Sequence, residues 1–455
     1  METGVAQAGG AGLPRLWPRR VFYGWMIVFI SFWDSMLTAG IGGYGFGVFL
    51  RFLSSPVVDG GMGWSRGAIS FVAMIRMFTT MGVAPVLGRF VDRRRGPQVL
   101  MVSGSLLAGA ALIALYWVQA IWQFYLLFGV IWGGAMTALG GQIMGPTIVS
   151  KWFVRKRGRA LAVATMGVSA GGVVAIPLST LFITLFGWRA AWAALGVVML
   201  VTILPLGAFY MRRQPEDVGL LPDGESPEAA DQRGGRPAGL AIAARIGIQG
   251  SYTVRQAFRA RSFWVLVVAQ TLSSMGLSPV LMHQVAYVQD KGFTLAAAAT
   301  IGTVFALFAA AGKVPWGMVA ERVPVRYVMG FAFVGAGLSL WFLIEGQSLP
   351  ALYAFAVLFG LFVGSMPPLS NLAWASYFGR DHLGTIRGYS TPLTRWTGGV
   401  APVFAGLVYD WAGVYSLAFV VFSVGWILAG LAVLAAGAPK EPPSAETTPT
   451  ETGGA

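Results

Sequence analysis

The sequence predicts an all-α membrane protein of twelve transmembrane helices in two halves, and three observations carry that prediction. Of 455 residues, 56% are hydrophobic and only 11% charged, whereas an ordinary soluble domain is roughly a quarter charged. The apolar residues fall in runs of about twenty or more, enough to cross a hydrocarbon core of ~30 Å. One long polar stretch, 212–261, interrupts these runs near the middle, and the same short turn motif occurs on either side of it.

Turn residues and charges punctuate the chain into spans near 21–50, 67–90, 97–118, 121–149, 158–184, 189–211, 262–289, 295–320, 325–344, 350–377, 384–410 and 413–436. Residues 1–20 form a basic tail ahead of the first span, which is far too long for the apolar core of a cleavable signal peptide, so the N-terminus is expected to stay attached. Residues 21–211 are expected to form one half and 262–436 the other, joined by the linker 212–261 with its Pro, Gly, Glu, Asp and Arg. The tail 437–455, rich in Pro, Thr, Glu and Gly, has little apolar surface to bury and is expected to be disordered.

The net charge of +14 follows from topology rather than from nucleic-acid binding. Short loops rich in Lys and Arg stay cytoplasmic. With both termini inside, the opposite loops hold only Arg51, Arg66, Arg189 and Lys291, and Arg76, Lys313 and Arg395 fall within spans. The other basic residues all face the cytoplasm and its anionic lipid. Abundant Ala and Gly, with Arg favoured over Lys, suggest a GC-rich bacterial source and hence the inner (plasma) membrane. The absence of cysteine excludes disulfides and thiol chemistry. No phosphate-binding glycine loop with its Lys and no HExxH pair is present, so an enzyme, an ATP-driven pump, a metal site and a cofactor are not expected.

The repeated motif is Gly88-Arg89-Phe90-Val91-Asp92-Arg93 after the second span and Gly317-Met318-Val319-Ala320-Glu321-Arg322 after the eighth. Glycine admits close helix approach, the acid can pair across the cytoplasmic face, and the Arg anchors the loop, so Gly88, Asp92, Arg93, Gly317, Glu321 and Arg322 are candidate elements of a conformational gate. At these residues the chain resembles the major facilitator superfamily, whose loop after helix two carries G-x-x-x-D-R/K-x-G-x-R/K. The first copy has one extra Arg before Gly96, and the second has Glu321 for Asp and Pro324 for Gly.

Further segments resemble one branch of that superfamily, the monocarboxylate-transporter-like and oxalate/formate-exchanger-like carriers. They are Tyr23-Gly24-Trp25, Gly63-Trp64-Ser65-Arg66 with Ile69-Ser70, the stretch Pro215-Glu216-Asp217-Val218-Gly219-Leu220-Leu221-Pro222-Asp223-Gly224, and Gly384-Thr385-Ile386-Arg387-Gly388. The resemblance implies two six-helix bundles, a central site and alternating access by rocking of the halves.

Charges inside the spans point to the site, because a buried ionisable group costs several kcal/mol and is kept mainly where it lines a cavity. They are Asp34, Arg76, Lys313 and Arg395. Asp34 and Arg76 are near enough in depth to be a structural ion pair or part of the site. Lys313 and Arg395 have no acid at their depth, so their expected counter-ion is the substrate. The resemblance sharpens one of these: the branch carries G-R-x-x-x-G late in helix eight, with the Arg pairing a substrate carboxylate, and Lys313 in Gly312-Lys313-Val314-Pro315-Trp316-Gly317 occupies that position. Lysine keeps the charge but loses the planar fork, which implies looser selectivity. Some relatives place an Asp one turn earlier as proton acceptor, where this chain has Ala309.

His283, in His283-Gln284-Val285-Ala286-Tyr287 followed by Asp290 and Gly292-Phe293, resembles the branch's H-x-x-x-Y-x-x-D-x-G-F and is a candidate to line the cavity. Asp34, His283 and Lys313 are the candidates for proton coupling. Gln142 and Asn371 are read as helix-packing polar groups, the glycines of span five (Gly158, Gly167, Gly171, Gly172) as close packing, and Gly364, Pro367 and Pro368 as a break in span ten.

The sequence therefore predicts a secondary transporter of small organic anions, mono- or dicarboxylates, coupled to protons or working by exchange. Lys313, Arg395, Arg76 and His283 are its candidate binding residues. Its expected partners are the anionic substrate, the bilayer and, where coupling is to protons, protons, with no nucleic acid and no obligate protein. A carrier or exporter of neutral or cationic compounds is the first alternative, and a non-transporting membrane ligand sensor is the second.

Overall fold

Helix formation here is dictated by lipid: without water to bond to, every backbone N–H and C=O must be satisfied within the segment or by neighbouring protein. The computed structural model describes residues 22–91, 93–139, 144–153, 156–224, 252–320, 322–378 and 383–435. Helix α1, Gly24–Ser54, contains a π-helical turn at Gly40–Tyr44. It is followed by α2 (Arg66–Val91), α3 (Gly96–Trp117), α4 (Ile121–Leu139) and α5 (Met144–Trp152), which extends the fourth crossing. The next helical stretch, Arg157–Pro205, is 49 residues long, about 74 Å if straight and more than two bilayer cores. It breaks at Gly187 (φ 79°, ψ 162°), a conformation that favours glycine. The arms before and after the break, α6 and α7, are the fifth and sixth crossings.

The second half begins with a short helix inside the predicted linker, α8 (Val254–Arg259), started by a Thr253/Gln256 capping box. The linker thus carries helical turns at both ends, Pro215–Val218 and Val254–Arg259; residues 225–251 lie outside the described residues. Then come α9 (Arg261–Asp290), α10 (Leu295–Ala320), α11 (Val325–Glu345), α12 (Leu349–Gly364), α13 (Met366–Phe378), α14 (Leu383–Arg395), α15 (Thr397–Ala412) and α16 (Ser416–Ala435). The break expected at Gly364–Pro368 falls at Ser365, between α12 and α13. The eleventh crossing is divided at Trp396 between α14 and α15. Ten runs among the described residues are long and apolar enough to cross a membrane. One of them, Arg159–Tyr210, contains two crossings, and α14 with α15 makes one more, which accounts for the twelve predicted spans.

Lipid tails are as apolar as the side chains, so helices associate through close fit rather than hydrophobic exclusion. A Cβ on Gly40 would lie 2.8 Å from the Gly171 carbonyl, which places α1 directly on α6. Gly196 meets the Gly109 carbonyl at 2.7 Å between α7 and α3, and Gly337 meets the Ser423 carbonyl at 2.7 Å between α11 and α16. Gly364 likewise would touch the Ala309 carbonyl of α10 at 2.5 Å. At the α14/α15 division, α9 supplies the missing polar partners: Thr271 donates to Leu393 O (3.0 Å), Ser278 to Gly398 O (2.6 Å), and Thr397 to Thr271 O (3.1 Å).

The fit makes a stability prediction. Gly337→Leu forces a side chain into the α16 backbone and should cost about 1–3 kcal/mol. Gly43→Ala, whose Cβ would meet nothing within 4 Å, should leave thermal unfolding in detergent unchanged. Equal melting of both variants would show that backbone approach does not set the packing.

Candidate functional site

Among the described residues, the polar contacts between the two halves cluster at one end. Arg66, the first residue of α2, is 5% exposed, and its guanidinium makes a forked pair with Asp290 at the end of α9 (2.5 and 2.9 Å). The same guanidinium lies 3.8 Å from the Tyr409 ring centroid and donates to the Tyr415 hydroxyl at 3.1 Å. Asp410 of α15 accepts the backbone N–H groups of Arg66 and Gly67 (2.8 and 2.7 Å), so the second half caps the N-terminus of a first-half helix. Among the described residues, every hydrogen bond or ion pair between the halves involves Arg66, Gly67 or Ser70.

His283 belongs to this closed end. Nε2 faces the Pro402 carbonyl (3.0 Å) and the Ser70 hydroxyl (3.2 Å), and Nδ1 faces the Tyr415 hydroxyl (2.9 Å). A carbonyl only accepts, so Nε2 carries the proton and Nδ1 receives the Tyr415 O–H. With both nitrogens engaged and the ring fully buried, His283 is a fixed joint of the closure. None of its contacts involves Lys313 or Arg395.

Cross-half packing elsewhere is apolar and lies toward the same end. A Cβ on Gly47 of α1 would lie 2.9 and 3.0 Å from the Leu281 and Met282 carbonyls of α9, and one on Gly399 of α15 would meet Met74 and Met77 of α2. A Cβ on Gly172 of α6 would lie 2.5 Å from the Ala306 side chain of α10. Of the glycines of span five, Gly167, Gly171 and Gly172 thus pack closely, as the sequence predicts; the surroundings of Gly158 lie outside the described residues. The opposite segments behave differently: α14 packs chiefly on α8, α9 and α13 of its own half, and the later part of α10 packs on α12 and α13. Between them the halves part.

The candidate cations are distributed along this opening. Lys313, late in α10, is half-buried, and Arg395, the last residue of α14, is exposed; neither has a hydrogen bond or ion pair with a described residue. Arg76 stays in the first half, donating to Gly42 O at the π turn of α1 and lying 5.5 Å from the Phe128 ring. A π turn frees such a carbonyl, and Gly133 leaves room for the Arg76 chain, which a Cβ there would meet at 3.1 Å. Asp34 is 2% exposed and its Oδ1 has no partner. It does not pair with Arg76, whose acceptor Gly42 lies eight residues, about 12 Å, further along α1. Asn371 accepts from Arg387, joining α13 to α14. Of the gate motif, Arg93 lies over Phe90 (4.4 Å), Arg322 is exposed, and Gly317 has open space beside it. Asp92, Glu321 and Gln142 lie outside the described residues, and of Gly88 only the backbone is described.

Several polar residues of the interior were not singled out by sequence reasoning. Arg387, two turns before Arg395 on α14, is close enough for the two charges to interact. Gln284 is buried with both amide atoms unsatisfied, 3.7 Å from where a Cβ on Gly302 would lie. Trp132 has an unsatisfied Nε1 beside Gly42. Arg66 and Asp290 both lie in segments that carry the branch resemblance, yet no spacing says that they meet. Asp410 was legible only as an acid at the end of an apolar span.

Two halves built of membrane-length apolar helices and closed on each other by one polar cluster have the architecture of a membrane transporter. Comparison with known proteins gives the family: the Major Facilitator Superfamily model matches residues 25–301 and 268–455, and the chain belongs to that superfamily. Its relatives lie in the monocarboxylate-transporter branch. It is 26% identical over 433 residues to human (Homo sapiens) monocarboxylate transporter 12, covering 90% of this chain and 79% of that protein. It is 24% identical over 417 residues to monocarboxylate transporter 13 of Rattus norvegicus, covering 90% and 88%. Among solved structures it is similar to the crystal structure of peptide transporter POT in complex with sulfate, with a TM-score of 0.68 and 15% identity over 93% of this chain and 96% of that one, a likeness of fold alone.

The closure has a measurable consequence. Removing one partner of a buried ion pair costs about 3–5 kcal/mol, so Arg66→Gln should open the sealed end. Spin labels on Val57→Cys and Val414→Cys, exposed positions on either side of the seal, should report a longer distance as the major population. The protein has no cysteine of its own to label. An unchanged distance distribution would place the closure elsewhere.

Proposed function

We propose that the protein is a secondary transporter of small organic anions, mono- or dicarboxylates, by alternating access. The observation that carries this reading is the pair Lys313 and Arg395, two cations in membrane-spanning helices beside the opening, with no carboxylate partner among the described residues. A cation without a partner in such a position is most readily explained by a ligand that supplies the negative charge. The names of the relatives agree with a carboxylate. Lys313 acts as a point charge, and Arg395 with Arg387 beside it adds a planar donor set suited to carboxylate oxygens. Arg76, held at the π turn, is a third positive group from the other half, so that a bound anion draws the halves together. His283 serves this reading as part of the seal rather than as a ligand.

Both termini are taken to be cytoplasmic in the plasma membrane, with halves at 21–211 and 262–436. The sealed end then faces outward, and the structure corresponds to an inward-open state. Asp34 is the residue we assign to proton coupling: a buried carboxyl with no cation beside it can take up a proton in one conformation and release it in the other. Exchange of one anion for another remains the alternative mode, and Asp34 distinguishes the two.

Uptake into proteoliposomes across a carboxylate panel should fall at least about tenfold in Lys313→Ala and in Arg395→Ala, the loss of one charge-assisted hydrogen bond of about 1.5–3 kcal/mol. Lys313→Arg should retain transport. Full activity in both alanine variants, or no competition by any carboxylate, would overturn the anion reading in favour of a neutral or cationic substrate. Ligand stabilisation without flux would instead indicate a sensor.

For coupling, Asp34→Asn should abolish acceleration of uptake by an inward proton gradient while leaving anion-for-anion exchange intact. Gradient-driven uptake at the original rate would remove Asp34 from the mechanism.

A further inference from the structure

Away from the opening between the halves, a cleft of about 620 Å³ lies between the start of α3 and the end of α7. Its wall carries Arg94, Arg95, Gln98, Arg212, Arg213 and Asp217. Four arginines thus face one acid. Asp217 is committed to Arg213, whose Nε and Nη2 it accepts at 3.2 and 3.0 Å. Arg212 donates only to the neighbouring Met211 carbonyl (2.9 Å), and Arg94 and Arg95 have no side-chain partner among the described residues.

The cleft is built rather than incidental. Gln98 donates to the Ala208 carbonyl and ties α3 to α7, and Trp152 donates to the Arg212 carbonyl (3.3 Å), fixing the end of α7 against α5. Gly96 turns the chain against the Phe90 carbonyl, where a side chain would collide, and so holds the arginines at the mouth of α3. That helix begins with Pro97 in its first turn, no side-chain cap and no acid, which leaves its positive end without an opposing charge.

We infer that this cleft binds a phosphate-type oxyanion, and that its source is the headgroup of an anionic membrane lipid. Arginine forks fit phosphate oxygens at two points, and basic pockets between helix ends suit anionic headgroups. The lipid source is favoured by what borders the cleft. Val99, on its wall, and Phe209, just before Met211, are both exposed, so a headgroup in the cleft leaves its acyl chains beside apolar side chains. This site is independent of the substrate reading, since none of Lys313, Arg395 and Arg76 lines it.

The test is lipid retention by the purified full chain, measured by native mass spectrometry after exchange into phosphatidylglycerol or phosphatidylcholine, with thermal stabilisation by inorganic phosphate as a separate arm. The wild type should retain phosphatidylglycerol at least about tenfold better than phosphatidylcholine, given roughly fivefold per basic residue near a surface. Combined Arg94→Gln, Arg95→Gln and Arg212→Gln should abolish that preference. Asp217→Asn, which removes the one acid and releases Arg213, should strengthen it, and it decides the matter if the triple variant does not fold. Equal retention of both lipids, a preference unchanged in both variants, or saturable stabilisation by inorganic phosphate with no lipid preference would each overturn the lipid site.

Discussion

One guanidinium organises the closed end of this protein. Arg66 is shared between the carboxylate of Asp290, the face of Tyr409 and the hydroxyl of Tyr415, and its own backbone N–H is held by Asp410. Through Tyr415 the network reaches His283, and through His283 it reaches Ser70 and Pro402. A charge buried to this depth is tolerated only when it is paired and most of its donors are satisfied; here both terminal nitrogens have partners and Nε has none among the described residues. The halves therefore meet in one register or not at all, and that register fixes where the opposite end opens and which side chains border the opening.

The remainder of the interface contains little that is specific. Gly47, Gly172 and Gly399 let backbones and small side chains approach across it without hydrogen bonds. Such surfaces slide and separate without orphaning polar groups. The division of labour is physical: small residues set how closely the halves approach, and one polar cluster sets whether they stay together. Lys313 and Arg395 take no part in either task among the described residues.

The fold was legible because it is written in length and punctuation. Apolar runs of membrane-spanning length and the Gly364–Pro368 break are local features, and the structure follows them to within a few residues. The site was legible only in part. Counting residues along a helix gives the depth of Asp34 and Arg76 but not the direction each faces, and the π turn at Gly40–Tyr44 supplied Arg76 with an acceptor that no composition signals. His283 was placed in the cavity by its motif, yet its partners are 119 to 213 residues away along the chain. Arg66 counted as one more loop charge, because the meaning of a charge at a helix start depends on what is docked against it.

The cap that Asp410 places on α2 bears on how the protein changes shape. It holds two main-chain amides, those of Arg66 and Gly67, while Ser65 caps Ala68 from within the same loop. When the halves part, the first turn of α2 keeps its internal cap and exchanges a carboxylate for water at two donors. Each such exchange costs about 1.5–3 kcal/mol, the net worth of a hydrogen bond to a charged group. The cap therefore resists wetting while it is dry. Hydration of a single helix end, and not only the repacking of apolar surfaces, enters the cost of parting the halves at this point.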